Sequence, residues 1–117
     1  MNIEKNKEKI KESVKRIIDR YPDKIPVFVK RGRSDKCLKD IEQNKFIIPE
    51  DITIAQFMNI LRKRIKLEPT IALYLFINGS VLPAQTATMS SLYETYKNEE
   101  LLLEIDYCGE NTFGKIK

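Results

Sequence analysis

The chain has 117 residues, a formal net charge of +4 at pH 7 and 42% hydrophobic residues. This size and composition predict a single soluble globular domain with a core of its own. No stretch is apolar enough to span a bilayer and the N-terminus is not a secretory signal, so we expect a cytoplasmic or nuclear protein. The sequence contains no histidine, which excludes Ser-His and Cys-His catalysis and the commonest metal ligand. It also lacks a glycine-rich phosphate loop and a clustered acid pair, so we predict no enzyme, no metal and no cofactor.

The charge and the cysteines allow few specialised functions. Residues 1–66 carry 18 Lys and Arg against 10 Asp and Glu, whereas residues 67–117 carry 3 against 7. The basic part suits nucleic acid or an anionic membrane, but its wide spread favours a solvated basic face. Cys37 and Cys108 lack the spacing of a zinc site, and we expect two thiols rather than a disulfide and assign them no role.

The first predicted element is an amphipathic helix over residues 4–21. Its apolar positions form one stripe under a charged face: Ile10, Val14, Ile17, Ile18 and Tyr21. Pro22 is expected to end this helix. The part before Ile10 has only Ile3 to bury, so it is either a short separate helix or a mobile arm.

Two strands are predicted next, with a polar loop between them. Residues 24–30 are β-branched and aromatic, and Pro26 belongs at a strand start or a free edge because it cannot donate to a ladder. In the loop, residues 31–44, we expect three side chains to lie underneath: Cys37, Leu38 and Ile41. Residues 45–49 have apolar side chains in both directions, which is typical of a strand buried on both faces.

A second helix is predicted from Thr53 to about Ile65. Thr53 and Gln56 have the form of a capping box. The core side carries Ile54, Phe57, Leu61 and Ile65, with Ile60 beside them. The basic run at residues 62–66 lies at the negative end of the helix dipole, which is a sufficient structural reason for those charges.

The last part of the chain predicts two more strands. Residues 71–77 are apolar throughout and favour a central strand. Asn78 and Gly79 predict a turn, and Thr88 or Ser91 the cap of a short helix. A final strand over residues 101–107 leads into a small polar tail that is either frayed or held by another protein. This order predicts an α+β domain with a mixed sheet covered on one face.

Five short motifs then occur in order along the chain. They are YPDKIPV at 21–27, KFIIP at 45–49, QF at 56–57 followed by ILRKRI at 60–65, ATM at 87–89 with LY at 92–93, and GENTFG at 109–114. Together they resemble the autophagy ubiquitin-like modifiers, the group of GABARAP and microtubule-associated light chain 3. The resemblance implies a ubiquitin-like β-grasp core with a four-stranded mixed sheet and two additional N-terminal helices. It divides the domain into a helical extension (1–22), a core (23–107), a conjugation arm (108–114) and a propeptide (115–117).

The resemblance also implies a chemistry at the tail. A cysteine protease of the autophagy pathway removes residues 115–117 after Gly114, with Phe113 as an anchor. Glycine lacks a Cβ and can enter a narrow channel. Activating and conjugating enzymes then transfer the Gly114 carboxylate to the amino group of phosphatidylethanolamine. The protein thereby moves from the cytoplasm to autophagosomal and other membranes.

The resemblance implies a second site at the strand 45–49. This strand is a sheet edge to which cargo receptors add an extended peptide with an aromatic residue and, three positions on, an aliphatic one. The aromatic pocket consists of Ile17, Pro26, Lys45, Ile47 and Leu102. The aliphatic pocket consists of Phe46, Ile48, Pro49, Ile52, Phe57 and Ile60. Lys45 and Arg64 pair with acidic residues beside the motif. For Ile52, Phe57 and Ile60 a plain core role is an equally good interpretation.

Some residues depart from the family pattern. Ser13 replaces a frequent acidic residue, Gln43 and Asn44 replace a basic pair, and Leu102 replaces a common aromatic, which leaves receptor preference open. We expect a monomer that binds no nucleic acid. The alternative, a basic domain that binds nucleic acid or an anionic surface through residues 5–39, has few aromatics for base stacking.

Overall fold

In a computed structural model of the chain, the structure describes residues 3–32, 38 and 40–110, apart from the side chains of Ile3, Glu4 and Glu110. The elements are α1 (Ile3–Arg20), β1 (Lys24–Arg31), β2 (Lys45–Pro49), α2 (Ile54–Arg64), β3 (Ala72–Ile77), α3 (Met89–Tyr96) and β4 (Leu103–Glu110). None of the helices within these ranges combines the length and apolarity that crossing a bilayer requires.

The four strands form one mixed sheet in the order β2-β1-β4-β3. β1 is antiparallel to β2 and parallel to β4, and β3 is antiparallel to β4. This confirms the predicted α+β fold of the ubiquitin-like type. The prediction that residues 71–77 form a central strand was wrong, because β3 lies at an edge. Its run is apolar because Leu73, Leu75 and Ile77 face the core, while Tyr74 and Phe76 are half-buried on the other face.

The core lies on the face of the sheet that α2 and α3 cover. α2 contributes Ile54, Phe57 and Leu61, and α3 contributes Met89 and Leu92. The predicted capping box starts α2: the Thr53 hydroxyl accepts from the Gln56 N–H at 3.3 Å, and the Gln56 carboxamide accepts from the Thr53 N–H at 2.9 Å. This satisfies two backbone donors that a bare helix start would leave unpaired.

α1 packs against the opposite face of the sheet. Val14 is 5% exposed yet does not belong to the main core cluster, because the sheet separates it from α2. α1 is one continuous helix of 18 residues, where the resemblance implied two helices. Pro26 of β1 lies under α1, one residue before the ladder with β4 begins at Val27. The missing N–H of Pro26 therefore removes no hydrogen bond between β1 and β4, which agrees with the predicted place of Pro26 at a strand start.

The final strand extends further along the chain than residues 101–107. Leu101 has a positive φ of 65° and lies before the strand. Beyond Tyr107, Cys108 and Gly109 continue the ladder against β3, opposite Tyr74 and Leu73. The first residues assigned to the conjugation arm, 108–110, are therefore paired in the sheet, and the domain division itself stays a prediction.

The loop after β1 is fastened across the end of β4. Leu38 is buried and joins the core, as predicted, while Cys37 lies outside the described residues. The Arg31 guanidinium donates to the Leu38 carbonyl at 2.8 Å and lies 3.2 Å from Asp40. A Cβ on Gly109 would lie 2.8 Å from Leu38 Cγ, so the glycine makes room for this contact.

We predict that Gly109→Ala destabilises the protein by about 1–3 kcal/mol, because the added methyl group overlaps Leu38. In a Leu38→Ala background the same substitution should cost little, since its neighbour is gone. Urea unfolding of the wild type, both single variants and the double variant measures this coupling. Additive losses would contradict the contact.

A second prediction concerns Asp106 on β4. Its Oδ1 is buried without a hydrogen-bond partner in the described part of the chain. Burial raises the pKa of this carboxyl, Lys30 lowers it and Glu104 raises it again. Because the pKa of Asp106 is higher in the folded than in the unfolded state, its contribution to the free energy of unfolding is most favourable below the unfolded-state pKa. That contribution falls as the pH rises through the folded-state pKa.

Asp106→Asn should therefore stabilise the protein at pH 7, by at most about 1 kcal/mol because the site is partly open to solvent. The gain should shrink towards acid pH, where Asp106 is itself protonated. Thermal unfolding between pH 3 and pH 8 measures the trend, with exposed Asp51→Asn as the control that shows no gain. A gain that grows towards acid pH would contradict the assignment.

Candidate functional site

The outer edge of β2 is open in the described part of the chain, because β2 pairs with β1 alone. The Val29 N–H donates to the Asn44 carbonyl at 2.7 Å. Hydrogen-bonded pairs alternate along an antiparallel ladder, so Phe46 also bonds to β1, and the backbone groups of Lys45 and Ile47 point outwards. An extended peptide can add to this edge as a further strand.

The side chains of β2 alternate between two environments. Phe46 and Ile48 are buried on the α2 side, whereas Ile47 is 40% exposed on the α1 side. The prediction of burial on both faces was therefore wrong. The apolar face that carries Ile47 lies open beside the free edge.

A groove of about 600 Å³ runs along the β2 edge, between α1 and the second half of α2. The predicted site residues that line it are Ile17, Pro26, Lys45, Phe46, Ile47, Ile48, Ile60, Arg64 and Leu102. Residues from both predicted pockets thus meet in one continuous groove. The division into an aromatic and an aliphatic pocket stays a prediction.

Three predicted residues do not line the groove. Phe57 has no exposed surface and meets Phe46 edge to face, with ring centroids 5.8 Å apart, so it supports the floor from the core. Pro49 is exposed at the end of β2, and Ile52 is half-buried beyond it. Their contact with a ligand stays a prediction.

Sequence reasoning missed several residues on the α1 wall. Lys9, Ile10 and Val14 line the groove together with Ile17, next to Ser13, which the sequence had marked as bearing on receptor preference. Ile10 is 39% exposed, although it belongs to the apolar stripe of the helix. The stripe was visible in the sequence, but the sequence did not show that one end of it overhangs the sheet edge.

The position of Leu102 depends on a local hydrogen-bond network before β4. The Asn98 carboxamide oxygen accepts from the N–H groups of Leu102, at 2.9 Å, and Glu100, at 3.0 Å. Its Nδ2 donates to Glu104 at 2.9 Å. These bonds hold the turn in which Leu101 has a positive φ, and they leave Leu102 facing the groove.

The electrostatics of the groove favour an acidic ligand. Lys9, Lys45 and Arg64 line it, and none of the described lining residues is acidic. The Arg64 guanidinium lies 5.4 Å from the centre of the Phe46 ring and also bonds to Gln43. An apolar floor with cations at the rim suits a peptide that has apolar anchors and acidic flanks.

The other predicted site, Phe113 and Gly114, lies outside the described residues. The structure describes only the strand that leads to it, which is paired as far as Glu110.

The strand order, the α2 and α3 packing and the extra N-terminal helix define a ubiquitin-like fold with an added helix on the open face of the sheet. A family model described as "Autophagy protein Atg8 ubiquitin like" matches residues 8–114. The chain therefore belongs to the Atg8 family, and it is a ubiquitin-like modifier of autophagy, as the motifs predicted.

The individual relatives agree. The chain is 43% identical to Autophagy-related protein 8d of Arabidopsis thaliana over 91 residues, which cover 78% of this chain and 74% of the relative. It is 43% identical to Autophagy-related protein 8 of Mycosarcoma maydis over 94 residues, or 80% of this chain and 77% of the relative. The crystal structure of Trypanosoma brucei ATG8 superposes with a TM-score of 0.82 at 34% identity and covers 92% of this chain and 91% of that chain.

We predict that Lys45→Glu combined with Ile47→Ala weakens binding of an acidic aromatic-x-x-aliphatic peptide by about 10–100-fold, equivalent to about 1.4–2.8 kcal/mol. The change reverses a rim charge and removes apolar surface beside the open edge. Fluorescence anisotropy with a labelled peptide measures the effect. The matched control is Lys97→Glu with Leu82→Ala, two exposed residues outside the groove lining. Equal binding by wild type and the groove variant would contradict the assignment.

Proposed function

We propose that this modifier is cut after Gly114 and conjugated through that residue to phosphatidylethanolamine, and that its β2 edge then recruits receptors carrying aromatic-x-x-aliphatic motifs. The observation that best supports recruitment is the coincidence of an open strand edge, an apolar groove and a cationic rim. The family match up to residue 114 supports the role of the tail.

The proposed conjugation needs a carboxylate at Gly114. The peptide bond after Gly114 keeps its carbonyl in an unreactive amide, so hydrolysis by the autophagy cysteine protease has to come first. An activating enzyme then adenylates the new carboxylate with ATP and releases pyrophosphate. A thiol of that enzyme displaces AMP to form a thioester, and the acyl group passes to a thiol of the conjugating enzyme. The lipid amine displaces the last thiol and forms an amide.

The geometry of the fold suits this division of labour. β4 is paired in the sheet up to Glu110, and residues 111–114 lie between the described end of this strand and the reactive carboxylate. Four residues span at most about 14 Å when extended. The groove runs along the β2 edge, and β1 separates β2 from β4 in the sheet, so the conjugated protein can offer the groove to a receptor. We place the protein in the cytoplasm before conjugation and on autophagosomal and other membranes afterwards.

A lipidation assay with three chains tests the tail. Purified protease, activating and conjugating enzymes, ATP with Mg²⁺, and vesicles containing phosphatidylethanolamine are supplied, and intact mass reports the product. We expect the full chain to require the protease, the chain ending at Gly114 to bypass it, and Gly114→Ala to give no conjugate.

The groove variant Lys45→Glu with Ile47→Ala serves as the control and should be lipidated like wild type, because its changes lie away from the tail. Lipidated protein that retains residues 115–117 would contradict the proposal.

A further inference from the structure

Gln43 bridges two elements at the end of the groove. Its carboxamide Nε2 donates to the Lys45 carbonyl at 3.2 Å. Its Oε1 accepts from the Arg64 Nη1 at 3.3 Å. One exposed side chain thus uses its donor on the edge strand and its acceptor on the last turn of α2.

The carbonyl that Gln43 occupies is one that strand addition needs. Lys45, Ile47 and Pro49 alternate with the residues bonded to β1, so their carbonyls face the open edge. The Pro49 carbonyl accepts the Ile52 N–H at 3.4 Å. Two of the three outward carbonyls of β2, those of Lys45 and Pro49, therefore accept hydrogen bonds from within the described part of the chain. For the third, that of Ile47, the described bonds include none.

We infer that Gln43 is a specificity-determining cap on the β2 edge: an incoming strand displaces it from Lys45, and Arg64 then selects peptides with a carboxylate in place of the Gln43 oxygen. This inference rests on the proposed peptide binding and adds an intramolecular competitor to it. The cap also shields the edge from pairing with other chains, which is a hazard of open strands.

The exchange of partners explains the selection. A backbone N–H of the peptide replaces the Gln43 amide as donor to the Lys45 carbonyl. This carbonyl therefore accepts one hydrogen bond both before and after the peptide binds. Arg64 loses the Gln43 oxygen, and a neutral peptide offers nothing in return. A carboxylate beside the motif supplies a charge-assisted bond, which is about twice as strong as a neutral one. Displacing the cap therefore costs less binding free energy for an acidic peptide than for a neutral one.

Gln43→Ala removes the competitor. Because one ordinary hydrogen bond changes stability by about 0.5–1.5 kcal/mol, we expect about 2- to 10-fold tighter binding of a neutral-flank peptide. Gln43→Glu is the matched variant: its carboxylate can accept from Arg64 but, when ionised, cannot donate to the Lys45 carbonyl. It should bind the neutral peptide as tightly as Gln43→Ala does. It should bind the acidic-flank peptide more weakly than Gln43→Ala, since Arg64 is already paired.

The experiment is a titration of wild type, Gln43→Ala and Gln43→Glu with two labelled peptides that share the motif and differ only in their flanks. NMR of the side-chain amide protons provides a direct readout. In the free protein, the Gln43 amide should exchange with water more slowly than that of exposed Gln85, and it should lose this protection when peptide is added.

Each outcome is decisive. If wild type binds both peptides but Gln43→Ala binds neither more tightly, the cap is wrong while the proposed function stands. Weaker binding by Gln43→Ala would show that Gln43 contacts the peptide instead, and it would also overturn the cap. Equal amide exchange of Gln43 and Gln85 in the free protein would do the same. If wild type binds neither peptide, peptide recruitment itself is wrong.

Discussion

The antiparallel register between β1 and β2 is the constraint on which the functional surface depends. It pairs Val27 with Phe46 and Pro26 with Ile47, and so decides which side chains face α2 and which face α1. A slip of one residue would turn Lys45 and Ile47 into the core and expose Phe46. Burial of Phe46 against Phe57 opposes that slip, because a lysine in its place would lose its hydration inside an apolar core. The same packing that holds the sheet together thus defines the outward face of the edge.

α1 turns this edge into a groove. The sheet separates Val14 and Leu102 from the main core, so they form a small second layer that fastens the helix to the other face. The visible ion pair between Lys7 and Glu99, at 3.6 Å, is exposed and adds little to this attachment. The helix therefore depends on apolar contacts near Val14 and Ile17, and Ile10 is left exposed where it lines the groove.

Local signals in the sequence predicted the fold where neighbours in the chain decide it. Thr53 and Gln56 start α2, and Asn78 and Gly79, both with positive φ, make the turn after β3. Features that depend on residues far away in the sequence, such as the position of β3 and the length of β4, were predicted less accurately. An apolar run cannot tell a central strand from an edge strand whose outer face is partly covered, which is why β3 was misplaced. The length of β4 depends on pairing with β3, more than thirty residues earlier in the chain.

The candidate site followed the same rule. The motif at residues 45–49 indicated the edge strand, and the structure gathers most of the predicted residues around it. The bridge from Gln43 to Arg64 joins residues 21 positions apart, so composition and spacing gave no sign of it. Gln43 was noticed in the sequence only as a lost basic residue. Its hydrogen bonds give it a different physical significance.

The central place of β4 has a mechanical consequence. β4 lies between β1 and β3 and is described as far as Glu110. A pull along the axis of β4 is therefore opposed by two ladders at once, and many hydrogen bonds are strained together in shear instead of opening one after another. A load applied at β2 passes through β1 into the same strand. In the proposed function, the sheet is thus oriented to withstand tension between a lipid at the tail and a receptor at the β2 edge.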